Sequence, residues 1–149
     1  MKKILVCSDS HGAKDYMSRL FEENDFDFFF FLGDGLHDLG LHQNLDNVIA
    51  VKGNCDMFSF EQGLVLKEIE GKKILATHGN SFGVKQGLGG LIKYASDLNC
   101  DIVLFGHTHS FCAEIIGDTY YFNPGSLKNG SALIIEIDQG RVRYSKIDL

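Results

Sequence analysis

Seven side chains in this sequence have the chemistry of metal ligands, and each follows an apolar run. Asp9 and His11 follow KILVCS, Asp34 follows FFFFLG, Asn54 follows VIAVKG, His78 follows KILAT, and His107 and His109 follow IVLFG. Together they offer two carboxylates, one amide and four imidazoles, too many donors for one ion and about right for two. Two divalent ions about 3.5–4 Å apart repel one another, and such pairs recur in phosphatases and nucleases. A bridging carboxylate offsets the repulsion. Asp34 is the natural bridge, because Gly33 and Gly35 allow close backbone approach on both sides. Asp9 and His11 are two apart, so an extended exit can turn both towards one ion, and the same spacing lets His107 and His109 present one imidazole to each of two ions. Two carboxylates against two divalent ions leave a site of positive charge, suited to a hydroxide and an anionic phosphoryl group.

The elements that must position these groups can be read from the apolar pattern. Each run has the length and continuity of a strand buried on both faces, and in open α/β sheets ligands gather beyond the carboxyl ends of such strands. Strands are expected at Ile4–Cys7, Asp27–Leu32 and Val48–Lys52, with a helix at Lys14–Glu23 and a short helix at His37–Leu45. This is a βαβαβ order, which implies parallel strands with right-handed crossovers. The helix at Lys14–Glu23 gathers Tyr16, Met17, Leu20 and Phe21 on one face. Gly63–Glu70 and Lys72–Thr77 read as a hairpin turning at Glu70-Gly71. Ser81–Gly90, with four glycines, reads as a mobile loop before a helix at Leu91–Leu98 and a strand at Asp101–Phe105. Strands then follow at Cys112–Ile116, Thr119–Phe122, Ala132–Ile137 and Arg141–Ile147, with turns at Gly117-Asp118 and Gln139-Gly140. A parallel α/β half followed by an antiparallel half suggests two sheets packed face to face with helices outside. The run Phe28–Phe31 reads as a doubly buried core strand and not a base-stacking platform, because consecutive residues alternate faces.

Bulk properties narrow the function. At 149 residues and 44% hydrophobic, the chain suits one domain, 1–149, with a core that needs no staples. The net charge is −6 and no Lys or Arg cluster occurs, which argues against a nucleic-acid polymer as partner. Cys7, Cys55, Cys100 and Cys112 are scattered, and three lie in or beside apolar runs, a pattern of a reducing compartment. The apolar stretch after Lys3 is too short for a signal-peptide core, and no run approaches a membrane span, so the cytoplasm is the expected location.

The blocks DSHG, GDG, GNCD, THG and GHTH resemble the five motifs of the calcineurin-like metallophosphoesterases, within them the small prokaryotic YfcE-type phosphodiesterases. The resemblance runs along the whole chain, including the NPGS turn at Asn123–Ser126. It implies a four-layer αββα sandwich, an α/β (α+β) fold of two mixed sheets flanked by helices. It also implies one ion on Asp9, His11, Asp34 and His109 and another on Asp34, Asn54, His78 and His107, with Asp34, Asn54 and His78 as catalytic residues. The implied reaction is phosphodiester hydrolysis by a hydroxide held between the ions. Four imidazoles favour Mn, Fe, Ni, Co or Zn over Mg or Ca, and the resemblance points to manganese. It further implies a small phosphodiester substrate and a homodimer. Two other readings share the fold: a phosphomonoesterase or nucleotide phosphatase on the same site, and a protein-binding scaffold such as a retromer subunit that has lost metal-site histidines.

Departures from the family pattern bear on substrate. Where many larger relatives carry a leaving-group histidine after the ligand Asn, this chain has Cys55, expected to pack inward. A thiol is a poor acid for alkoxide expulsion, which favours diesters with acidic leaving groups. Asn80 replaces a second histidine of small relatives and is expected to reach substrate or a ligand's outer partner. His37 is a candidate for the cleft mouth, His42 and Lys128 are expected on the surface, and Ser81–Gly90 with Lys85 is a candidate lid.

Overall fold

The computed structural model describes residues 1–149. Ten strands and two α-helices follow in the order β1 (Lys2–Cys7), α1 (Lys14–Glu23), β2 (Phe28–Phe31), β3 (Val48–Ala50), β4 (Leu64–Ile69), β5 (Lys72–Thr77), α2 (Gly89–Asp97), β6 (Ile102–Leu104), β7 (Cys112–Ile116), β8 (Thr119–Asn123), β9 (Ser131–Asp138) and β10 (Arg141–Asp148). Alternation along the strands sorts the apolar side chains into three clusters, and the clusters define the layers. Ile4, Val6, Phe30, Leu133 and Ile135 meet Ile74, Ala76, Ile102, Leu104 and Phe122 between two sheets. Leu5, Cys7, Phe29 and Phe31 point the other way and bury Met17 and Leu20 of α1. Leu75, Val103 and Tyr121 turn outward from the second sheet onto Leu91 and Ala95 of α2. Helix, sheet, sheet, helix is the expected four-layer sandwich, and Phe29, Phe30 and Phe31 are core residues with no exposed surface.

The first sheet has the order β10-β9-β1-β2-β3 and the second β4-β5-β6-β8-β7. β1, β2 and β3 are parallel, as are β5, β6 and β8. The division between sheets does not fall at the middle of the chain. β9 returns to pair antiparallel with β1 and β10 closes that edge, while β4 and β7 pair antiparallel with β5 and β8, so both sheets are mixed. Alternation alone could not assign this hairpin, because either sheet offers it a buried face.

Local structure departs from expectation at the loops. His37–Leu45 is not an α-helix but a 3-10 segment, Leu36–Asn44, broken at Gly40, whose φ of 55° and ψ of −133° lie outside helical space. β3 and β6 end one or two residues early, where the chain turns towards the candidate ligands. Ser81–Gly90 is not an open loop. Two 3-10 turns, Asn80–Phe82 and Val84–Gln86, lead into α2, and Val84 is buried against that helix's cluster. The hairpin tips are as read: Glu70 and Gly71 have φ of 50° and 75°, and Gln139 and Gly140 have 50° and 78°. No helix is long and apolar enough to cross a membrane.

Candidate metal centre

Parallel strands deliver their carboxyl ends to one edge of the sandwich, and there the backbone leaves ordinary strand geometry. Asp9, His11, Asp34, His107 and His109 all have positive φ, between 41° and 72°. Asp and His tolerate this left-handed region better than most residues, although for any side chain it is uncommon. Such conformations persist where surroundings over-determine them, often at functional sites. Glycines make the crowding possible. A Cβ on Gly33 would lie 2.5 Å from the Gly53 nitrogen, and one on Gly106 would meet Ser8 Oγ and Asp9 Oδ2.

Each buried carboxylate gives one oxygen to the protein and turns the other to the imidazoles. Asp9 Oδ2 accepts from the Ser8 hydroxyl at 2.6 Å and the His107 N–H at 3.0 Å. Asp9 Oδ1 lies 3.1 Å from His109 Nε2, 3.7 Å from His11 Nε2 and 3.8 Å from His78 Nε2. Asp34 Oδ1 accepts the Cys55 N–H at 2.8 Å, while Oδ2 lies 3.3 Å from His78 Nε2 and 3.9 Å from His11 Nε2. His78 Nδ1 donates to the Leu32 carbonyl at 2.7 Å, which leaves Nε2 as its donor atom for a metal. His107 Nδ1 stands 3.2 Å from that Nε2.

These spacings suit a cation. Ligand bonds of about 2.0–2.2 Å place neighbouring ligand atoms about 3.0–3.5 Å apart. Ligand atoms of Asp9, His11 and His109 lie within 4.8 Å of one another, as do those of Asp34, His78 and His107, and those of His11, Asp34 and Cys55. Asp9 Oδ1 and His11 Nε2 are buried without a hydrogen-bond partner. A carboxylate oxygen and an imidazole nitrogen left bare in this way cost free energy that a shared cation would offset.

The electrostatics follow from the same contacts. Burial pushes the Asp34 carboxyl up, but hydrogen bonds from His78 and the Cys55 N–H outweigh it and hold the group at about 2. Burial pushes His78 down, yet Asp34 and Asp9 prevail and raise it. His107 is lowered, by burial first and then by the charges of His78 and Lys85.

The remaining candidates are less gathered. Asn54 is exposed, its amide 3.5 Å from Cys55 Sγ. Cys55 does not pack inward: its N–H is tied to Asp34 and its side chain is exposed. Desolvation, then the charge of Asp34, raises the thiol above its ordinary pKa. His37 is exposed in a cleft that Cys55 also lines. Asn80 is exposed, its carbonyl accepting from Gly83 N–H. His42 is not on the open surface but stacks on Phe21, centroids 3.9 Å apart. Lys128 is exposed.

Two carboxylates outside the candidate set hold the centre's backbone. Asp56 Oδ2 accepts from Asp34 N–H at 2.7 Å and Gly53 N–H at 2.8 Å, and its Oδ1 from Gly35 N–H at 2.9 Å and Leu36 N–H at 3.0 Å. Asp38 Oδ2 accepts from Ser10 Oγ at 2.6 Å and Gly12 N–H at 2.8 Å. The signal for Asp56 was its place three residues after Gly53, where a short carboxylate folds back on a turn's N–H groups. The NPGS turn adds a third clasp, because Ser126 Oγ donates to the Asp9 carbonyl at 2.8 Å.

Comparison with known proteins shows the family. The profile of the calcineurin-like phosphoesterase superfamily domain matches residues 1–140. The chain is 30% identical over 151 residues to the probable metallophosphoesterase YsnB of Bacillus subtilis, covering 95% of this chain and 89% of that protein. It is 29% identical to phosphodiesterase YfcE of Escherichia coli, over 85% of this chain and 80% of the relative. A crystal structure of a conserved protein from Streptococcus pneumoniae, described as a predicted phosphoesterase, superposes with a TM-score of 0.88 at 25% identity, covering 99% and 89% of the two chains.

Proposed function

The chain belongs to the calcineurin-like phosphoesterase superfamily and is a metal-dependent phosphoesterase; within that class we propose that it hydrolyses phosphodiesters at a centre of two divalent ions. The observation that carries this reading is the position of Asp34 Oδ2, between His78 Nε2 at 3.3 Å and His11 Nε2 at 3.9 Å, where one carboxylate serves two neighbouring clusters. Asp9, His11, Asp34 and His109 would hold one ion, and Asp34, Asn54, His78 and His107 the other. When bound, such ions supply a water of lowered pKa as nucleophile and neutralise charge on the phosphoryl oxygens. The imidazole-rich set favours a transition metal, and we assign manganese on the family resemblance.

The protein's own groups do the positioning. The Leu32 carbonyl fixes the tautomer of His78, and Asp56 fixes the turn that carries Asp34. A thiol such as Cys55 is a weak proton donor to a leaving alkoxide. Esters with acidic leaving groups need no such donor. The relative named as a phosphodiesterase supports the same class. The test is a substrate screen with added manganese. Bis-aryl diesters are expected to turn over faster than alkyl monoesters, and the opposite order would overturn the diesterase assignment in favour of a phosphomonoesterase.

A further inference from the structure

Next to the candidate centre lies a cleft of about 500 Å³ lined by five apolar residues and five polar ones, within the usual size of a small-molecule pocket. It shares Cys55 and Asp56 with the centre, so it begins where the carboxylate of Asp34 is held. Its wall is the segment between Gly53 and Gln62. The Lys52 N–H donates to the Gln62 carbonyl at 2.9 Å and closes that segment at its neck, as in a compact Ω-loop. Asp56 pins its first turn. The tip is apolar yet uncovered: Met57 is 74% exposed, Phe58 94% and Phe60 103%. Phe58 also has a φ of 63°, a conformation bulky side chains rarely adopt. An aromatic residue held in that conformation and left bare beside a reaction centre is unexplained by packing. Strained residues of this kind gather at ligand clamps. The lining also has a polar pair: Gln43 Nε2 donates to Glu61 Oε1 at 2.9 Å, which fixes a carboxylate in the cleft.

On the premise of the phosphodiesterase reading, we propose that this cleft receives the non-leaving ester group of the substrate. That group is a flat aromatic ring with a hydrogen-bond donor on its edge. Phe58 and Phe60 cover its faces, and the Glu61 carboxylate accepts from its edge. The phosphoryl group then lies at the Cys55 end, against the candidate centre. Net negative charge on Glu61 and the filled acceptors of Asp56 disfavour a second anionic group in the cleft.

The test uses three diesters that share a p-nitrophenyl leaving group and differ in the second ester: methyl, phenyl or aminophenyl. With manganese, kcat/KM is expected to rise in that order. Phe58→Ala/Phe60→Ala is expected to lower the phenyl-to-methyl ratio about tenfold, the worth of a stacked ring. Glu61→Gln is expected to lower the aminophenyl-to-phenyl ratio. Ratios unchanged by these variants would overturn the proposal. Binding of phenyl phosphate against methyl phosphate by equilibrium dialysis, in wild type and in the double variant, reads the same preference without turnover. Failure of every diester to react would count against the phosphodiesterase reading, whereas equal binding of the two phosphates would count against the cleft. If the double variant instead turns a dimer into a monomer and leaves the binding preference intact, the tip is an interface between copies and the proposal falls.

Discussion

Both edges of the sandwich hold non-glycine residues in the left-handed region, for different reasons. At the amino ends of the parallel strands they sit in turns: Glu70 before β5, Asn99 before β6, and Gln139 between β9 and β10. There the tight reversal demands positive φ, and a following Gly71 or Gly140 completes it. At the carboxyl ends, Asp9, His11, Asp34, His107 and His109 adopt the same conformation without a hairpin to require it. What it achieves there is direction. It turns five polar side chains off their strands towards a common point, where the Ser8 hydroxyl and the Cys55 N–H hold the carboxylates of Asp9 and Asp34, and the neighbouring His78 is held by donating to the Leu32 carbonyl. Backbone strain serves connection at one edge and gathers candidate ligands at the other.

The largest test of this contrast lies at the carboxyl edge. His78→Ala or His107→Ala is expected to lower phosphodiester hydrolysis by more than about a hundredfold. The melting temperature of the metal-free protein should move far less than activity does, and diester assays with thermal melts read both. Next comes Asp56→Ala. Four N–H groups lose a charged acceptor, so a stability loss of about 2–4 kcal/mol is expected in denaturant titration, together with weaker metal binding. Manganese at about a hundred times its dissociation constant should stabilise the wild type by about 2.7 kcal/mol, seen as a rise of several degrees in melting temperature that a chelator reverses.

A pH dependence follows from the histidine at the middle of the cluster. His78 is raised in the metal-free protein, so its proton competes with metal up to a higher pH than at an ordinary imidazole. Manganese affinity should therefore fall as pH decreases through that raised value. Asp34, held at about 2, stays ionised across the same range. Affinity that does not change between pH 8 and about pH 6 would contradict the role of His78. The smallest effect belongs to the amino edge. Gln139→Asn creates the Asn-Gly pair that such turns favour and should stabilise by about 0.5 kcal/mol, with kcat/KM unchanged.

The same contrast explains what could be read beforehand. The candidate ligands were visible because their types are distinctive and each closes an apolar run. The layers were visible because strands such as Ile4–Cys7 and Phe28–Phe31 alternate between two buried faces. The sheet joined by β9 was not, since its alternation fits either. Asp56 is only weakly marked, by its place three residues after Gly53, because a carboxylate in a turn looks like any surface carboxylate until its four N–H partners are seen. Cys55 departs from expectation for a related reason: side-chain hydrophobicity suggests burial, but its N–H is tied to Asp34 and the side chain is exposed. Gly40 already marked the interruption that kept Leu36–Asn44 from being a helix.

The pairing of β1 with β9 bears on how the molecule comes into being. Val6 and Leu133 face one another across the pair although they are far apart in sequence, and Ser126 reaches back to clasp Asp9. During synthesis, β1 emerges before β9 and waits with an unpaired flank until the residues through Asp138 have been made. The turn bearing Asp9 lacks its clasp for nearly as long. Native pairings of such long separation slow folding, so the nascent protein passes through a stage in which β2 and β3 can assemble on β1 while the reaction centre is still without one of its supports.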